Sequence, residues 1–191
     1  MIALALLLAA LAPEESLADQ VAACGVDRAQ IRVEQDAHLQ AEIATIATPD
    51  AALTEDLLGC LVDLAVTGYF IEFADPMVTA RFTPQVNATS RRVAVHAARL
   101  WLANRGLLQK LPFYDPEAQT LPQFTQALEA MCGIAPGTRL KPLGAHTVTF
   151  VGLDKSGDDP ALQCLFNAVV AADTDPEIVQ FGITGNEAVR D

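Results

Sequence analysis

Four cysteines and three histidines are the residues of this 191-residue sequence best suited to chemistry. Cys24 precedes His38 by fourteen residues (38 − 24), and Cys132 precedes His146 by the same interval (146 − 132). A repeated spacing of this kind is typical either of ligands for a shared site or of a structural motif that occurs twice. His96 stands apart from both pairs, near the middle of the chain.

The sequence around each cysteine–histidine pair occurs in two similar copies, 108 residues apart (132 − 24). In both copies the same anchors follow in one order: Cys-Gly-apolar, Ala-His, an apolar run, Cys-Leu and an apolar-polar-Phe triplet. The copies differ in length only between these anchors, where loops tolerate insertions. We interpret the pattern as an internal repeat of one folding unit. An unduplicated fold with coincident cysteine pairs is the alternative.

The four cysteines allow three disulfide connectivities, and the repeat favours the one that links cysteines within each copy. These pairs are Cys24–Cys60 and Cys132–Cys164. An even number of cysteines is typical of a disulfide framework in an oxidising compartment. On the chain-entropy model, loops of these lengths contribute about 3–4 kcal/mol each to stability. Four reduced, buried cysteines in a cytosolic protein are the alternative.

The N-terminal sequence indicates export. Residues 2–12 (IALALLLAALA) form a charge-free apolar run that suits a signal-peptide core and is too short to span a bilayer. Cleavage after Ala12 would leave Pro13 first, and cleavage after Ala18 would leave Asp19. The second is preferred, so residues 1–18 are expected to be a signal peptide of a periplasmic or secreted protein. A buried N-terminal helix is the alternative.

Composition argues against several classes of function. A formal net charge of −12 makes the protein acidic and unsuited to tracking a phosphate backbone, so we expect no nucleic-acid partner. No second run is apolar enough for a membrane span after processing. The sequence has no phosphate-cradling glycine loop and no nucleophile elbow, and it predicts no cofactor.

Each histidine has two interpretations. If the copies pack symmetrically, His38 and His146 are candidates for a metal or ligand site together with carboxylates. The preferred alternative is that each begins a strand and hydrogen-bonds a backbone carbonyl, because no short His or Cys spacing of a metal site is present. His96 lies about one helical turn from Arg92 and Arg99, a basic cluster suited to a small anion or an acidic partner. A solvated helix face that pairs with the protein's own carboxylates is the preferred alternative there.

Hydrophobic periodicity predicts an α+β fold made of two related units, each with a small sheet. Each unit has the order helix-strand-strand-helix-strand, and a long central helix joins the two. The first unit is expected over 19–83 and the second over 123–191. Between them, 84–122 holds a linker helix, predicted from Thr89 to Leu108, and a Pro-rich loop.

Helix start signals occur at matching places in the two copies. Thr48-Pro49-Asp50 predicts the start of a helix that carries Cys60 on its buried stripe. Asp159-Pro160 predicts the corresponding start in the second copy, with Asp as the N-cap and Pro as the first helical residue.

These observations favour an exported, disulfide-stapled, non-enzymatic binding or interaction protein. Its expected ligand surface is the groove between the units, lined by the central helix, and its partner is an unknown protein or a small anionic ligand. A hydrolase or metal-dependent enzyme is the rival interpretation, with His38, His146 or His96 as acid–base groups beside carboxylates. That rival requires two of the three histidines to converge with a carboxylate in one pocket.

Overall fold

The computed structural model describes residues 15–47, 49, 52–152, 159–172, 174 and 179–183. The chain divides into two compact units, Met1–Ser90 and Arg91–Asp191. Of the expected signal peptide, residues 1–14 lie outside the described part of the chain.

The first unit follows the predicted order of helix, two strands, helix and strand. Its first helix begins after Ser16, whose hydroxyl oxygen accepts the Asp19 N–H at 3.2 Å and donates to the Asp19 carboxylate at 2.5 Å. That hydroxyl, together with the Arg28 guanidinium, holds the pKa of Asp19 below its ordinary value. The elements are α1 (Leu17–Ala23), a 3-10 helix (Arg28–Gln30), β1 (Ile31–Asp36), β2 (Ala41–Ile46), α2 (Glu55–Val66), β3 (Phe70–Phe73) and the start of α3 (Pro76–Ala103).

The sheet of the first unit has β2 at its centre. β1 pairs with β2 in antiparallel register and β3 pairs with it in parallel register. Because side chains alternate across a strand, one face of β2 carries Ala44 and Ile46, which are fully buried. Opposite these lie α1 and α2, whose buried side chains include Val21, Leu58 and Leu61. The unit therefore has its own hydrophobic core between the sheet and two helices.

The second unit repeats this order. Its helix α4 begins with a capping box, in which the Thr120 hydroxyl accepts the Gln123 N–H and the Gln123 side chain accepts the Thr120 N–H. As predicted, Asp159 caps the last helix, and its carboxylate accepts the Ala161 N–H at 2.9 Å. The elements are the remainder of α3, a 3-10 helix (Leu108–Lys110), α4 (Leu121–Met131), β4 (Leu140–Pro142), β5 (Thr147–Phe150), α5 (Pro160–Ala172) and β6 (Gln180–Ile183).

The second sheet has the same pairing as the first. β5 is central, with β4 antiparallel and β6 parallel to it. Its core face carries Val148 and Phe150, which pack with Phe124 and Leu128 of α4 and Leu165 of α5. The predicted fold class is confirmed: the protein is α+β, with two small three-stranded sheets and a long central helix.

Two helix starts differ from the prediction. α2 begins at Glu55, later than Thr48-Pro49-Asp50, because the Thr54 hydroxyl accepts the Leu57 N–H at 3.2 Å. Of the predicted start, Thr48 and Asp50 lie outside the described residues. The acidic side chains of Glu55 and Asp56 in the first turn also favour this start.

The central helix is longer at its N-terminus than predicted and shorter at its C-terminus. It runs from Pro76 to Ala103, and its start is fixed by the Asp75 carboxylate, which accepts the Met77 N–H at 2.8 Å. Pro84 lies inside the helix and removes one backbone donor. The carbonyl of Ala80, four residues earlier, therefore has no partner within the helix. Both Pro84 and Ala80 are exposed, so a water molecule can donate to this carbonyl instead.

Candidate functional site

Both predicted disulfides are formed. Cys24–Cys60 and Cys132–Cys164 each have a Cα–Cα distance of 5.6 Å, and no cysteine is free. In each unit the bond joins the C-cap residue of the first helix to the second helix. The cysteines are therefore structural cross-links, and none is a thiolate nucleophile or a metal ligand in this state.

The histidines at the shared spacing occupy comparable loops. His38 lies in the exposed turn that connects β1 to β2, where its backbone N–H donates to the Asp36 carboxylate at 2.8 Å. His146 immediately precedes β5, is exposed, and its carbonyl accepts the Gln180 N–H at 2.7 Å. His146 thus lies next to the first residue of β5, whereas His38 lies in a turn, and the expected hydrogen bond from each histidine to a backbone carbonyl stays a prediction.

No metal site is found within the residues that the structure describes, where no three His, Cys, Asp or Glu side chains come together. His96 lies on the exposed face of α3. Each of the three histidines thus projects from a surface.

The arginines of the central helix have a structural role in the second unit. Arg99 donates from Nε to the carbonyl of Ala171, in the last turn of α5, at 3.1 Å. Arg91 donates to the carbonyl of Thr174, just past the end of α5, at 2.6 Å. A cation beside the last carbonyls of a helix satisfies groups that have no partner within the helix and complements the helix dipole. Of the predicted basic cluster, Arg99 therefore contributes to this helix end.

A groove in the second unit lies between the arginine-bearing part of α3, the end of α5 and β6. Its volume is about 450 Å³. Apolar side chains form most of its wall, among them Val95, Val169, Val179 and Phe181, and Arg91, whose guanidinium also donates to the Thr174 carbonyl, belongs to the wall. Neither Arg92 nor His96 belongs to the wall. The arrangement offers a ligand an apolar surface and one positive charge.

Glu129 is a buried carboxylate whose role the sequence did not predict. It lies on α4 and is fully buried, at 0% exposure. Its carboxylate accepts three backbone N–H groups at the entry to β4: those of Gly137 and Arg139 (2.6 Å) in the loop, and that of Leu140 (2.8 Å), the first residue of the strand. A carboxylate with this many donors is a clamp on the loop, and it holds β4 in place beside α4.

The first unit has an apolar residue where the second has this clamp. Val21 and Glu129 each stand three residues before the first cysteine of their copy, and both are fully buried. That difference between the copies was the one signal in the sequence that marked Glu129 as unusual.

Membrane-spanning helices are not found in the described part of the chain, where no helix combines sufficient length with sufficient apolarity. No protein-family model, no curated protein and no solved structure matches this chain.

Proposed function

We propose that the protein is an exported, disulfide-stapled binding protein of the periplasm or the extracellular space. Its ligand is a small molecule with an apolar body and one anionic group, bound in the groove of the second unit. The observation that carries the proposal is the pairing of an arginine with apolar walls in a groove of about 450 Å³. Binding sites for small molecules commonly have roughly 300–1,000 Å³ and mostly apolar walls with few polar groups.

The disulfides support the export part of the proposal. Both cysteine pairs are bonded, and each bond ties two helices of one unit together. Disulfides persist in oxidising compartments, whereas cysteine thiols are kept reduced in most cytosols. The apolar N-terminal run supplies the signal that such a route requires.

The burial of Leu17 bears on the position of the proposed cleavage. Leu17 is 3% exposed in the core of the first unit, and Ser16 caps α1. Removal of residues 1–18 would take both from the folded protein. We therefore place the cut before Ser16, as cleavage after Ala12 would do.

Arg91 gives the proposed ligand site its charge selectivity. A guanidinium that meets a carboxylate forms charge-assisted hydrogen bonds, which contribute more than neutral ones. The side chains of Val95, Val169 and Phe181 in the wall have no hydrogen-bonding groups, so they favour any aliphatic or aromatic ligand body of suitable size. The class of ligand is thus a monoanionic acid with a short apolar chain or ring.

The test compares octanoate with octan-1-ol by titration calorimetry and by amide chemical shifts of the isotope-labelled protein. We expect octanoate to bind at least tenfold more tightly than the alcohol, and Arg91→Gln to remove that difference, because a hydrogen bond to a charged group contributes about 1.5–3 kcal/mol. The changes in amide chemical shift on ligand binding should be largest at Val95, Val169 and Phe181.

The matched control is Arg92→Gln, which removes the same charge from the neighbouring residue, outside the groove wall. It should leave the preference for octanoate unchanged. Equal binding of acid and alcohol by the unaltered protein, or an unchanged preference in the Arg91 variant, would refute the ligand site. Thermal unfolding of both variants shows whether the loss of the bond to Thr174 has altered the fold.

No observation on the described residues favours the rival enzyme. His38 and His146 are exposed in loops, and His96 is exposed on a helix. The binding protein remains the proposal that the groove supports.

A further inference from the structure

The second helix of each unit presents a comparable outer face beside the disulfide. Aligned on Cys60 of α2 and Cys164 of α5, position 64 corresponds to 168 and position 67 to 171. On α5 this face is closed: Cys164 is 5% exposed, and Ala168 and Ala171 are 0% exposed.

The cover over α5 is a stretch of helix α3. Ala98 and Leu102, one turn apart on α3, are buried against Cys164 and Ala171. Arg99, between them in sequence, donates to the Ala171 carbonyl. The second unit thus shows what fits this face: a helix with a small residue and a leucine at i and i+4, flanked by arginine.

The same face of α2 has no cover among the described residues. Cys60 and Leu64 are half-buried and Thr67 is exposed, where their counterparts on α5 are buried. A groove of about 550 Å³ runs along this face. A helix packed on this face of α2 would reproduce the packing of α3 on α5 in the second unit.

Gly59 makes the face of α2 accessible to a second helix. It lies in the groove wall and is exposed, and beyond its chain neighbours and the backbone of its own helix, no atom of the described residues lies within 4 Å of the position that its Cβ would take. Glycine inside a helix costs about 1 kcal/mol relative to alanine. Its placement on the open face leaves room for a neighbouring backbone to approach closely.

Carboxylates set the chemistry of the partner. Glu55, Asp56 and Asp63 belong to the groove wall and are exposed. Arg81 approaches Glu55 at 3.9 Å, and Asp56 and Asp63 make no ion pair with any described residue. The positions that correspond to the two aspartates are Pro160 and Asn167, so these two negative charges are specific to the first unit, whereas Glu55 corresponds to Asp159.

We propose that this face of α2 is a docking site for an amphipathic helix of a partner protein. The helix carries a small residue and a leucine four positions apart, with lysine or arginine on either side to meet Asp56 and Asp63. This surface belongs to the first unit and is separate from the ligand groove proposed in the second.

A peptide copied from helix α3 of this protein is a suitable probe of the docking site. A capped synthetic peptide with the sequence of residues 91–106 contains the Ala98–Leu102 pair and four arginines. Titrated at low salt into the isotope-labelled full chain, it should shift the amides of Gly59, Asp63 and Thr67. Raising the ionic strength should weaken binding, since exposed charges are screened.

Gly59→Leu is the decisive variant, because it fills the face while it favours the helix. We expect it to weaken peptide binding at least tenfold with no loss of thermal stability. The matched control is Gln163→Leu, at the corresponding position of α5, which should bind as the unaltered chain does. Asp56→Lys with Asp63→Lys should also weaken binding at least tenfold.

Three results would overturn the proposal. In the first, the peptide leaves the amides of α2 unshifted. The shifts lie elsewhere, or the Gly59 variant binds as tightly as the unaltered chain. Each outcome is independent of octanoate binding, so the two proposals stand or fall separately.

Discussion

Replacing Cys132 and Cys164 together with alanine is expected to lower the free energy of unfolding by about 3–4 kcal/mol or more. The bond closes a loop with a sequence separation of 32 residues, so its loss gives the unfolded chain more conformational freedom. Cys164 is also buried beneath Ala98 and Leu102 of α3, so alanine leaves a small space there. Chemical denaturation monitored by circular dichroism measures the change.

The other disulfide is the natural comparison. Replacing Cys24 and Cys60 removes a loop of similar separation, 36 residues, but Cys60 is only half-buried and lacks a helix over it among the described residues. We expect a similar entropic loss with less packing loss. In the native protein, mild reductant should open Cys24–Cys60 first. Unchanged stability after removal of either bond would contradict their role as cross-links.

Replacing Glu129 with valine is expected to cost about 3–5 kcal/mol, because three backbone N–H groups lose their acceptor in a buried place. Valine is the residue at the corresponding position of the first unit, Val21, so its size and hydrophobicity suit a helix of this kind. The loss would therefore come from the three backbone N–H groups at the entry to β4 that no longer have an acceptor. Urea denaturation gives the magnitude, and hydrogen exchange should show faster exchange at Arg139 and Leu140.

The control for this prediction is Glu117→Val. Glu117 is exposed, and its backbone N–H, which the substitution retains, donates to Asp115. We expect a change within about 0.5 kcal/mol, as for most surface substitutions. A Glu129 variant as stable as the Glu117 variant would show that the carboxylate does not hold the loop.

The cysteine pairing and the order of elements were predictable because both depend on local spacing. Each unit has two cysteines at matching points of its sequence, and the helices that carry them bring the Cα atoms to 5.6 Å, a distance that suits a disulfide. The cap at Asp159 was equally readable, because Asp followed by Pro is a strong local start signal.

Long-range partners were not predictable in the same way. Glu129 is a charged residue on a helix, a type of residue that is usually exposed, and its three backbone donors lie 8 to 11 residues further along the chain. The sequence placed Arg99 either in a basic cluster or, by preference, on a solvated helix face, yet Arg99 donates to a carbonyl 72 residues away in sequence. Such pairings depend on how the elements pack, which hydrophobic periodicity does not specify.

The start of the central helix was missed for a different reason. Pro84 is a helix breaker by propensity, so the sequence alone favours a helix that starts after it. The helix continues through it because the affected carbonyl, that of Ala80, belongs to an exposed residue and can bind water. The exposure of Ala80 to solvent thus allows the helix to continue through Pro84 in spite of the low helix propensity of proline.

The central claim, an exported protein with one disulfide in each unit, is tested most directly by mass spectrometry of the protein purified from cells that make it naturally. Intact mass with and without reduction, followed by a peptide map, reports the N-terminus and the cysteine pairing together. The account predicts a chain that has lost its apolar run, retains Ser16 and Leu17, and carries Cys24–Cys60 and Cys132–Cys164. An unprocessed chain with four alkylatable thiols would contradict it.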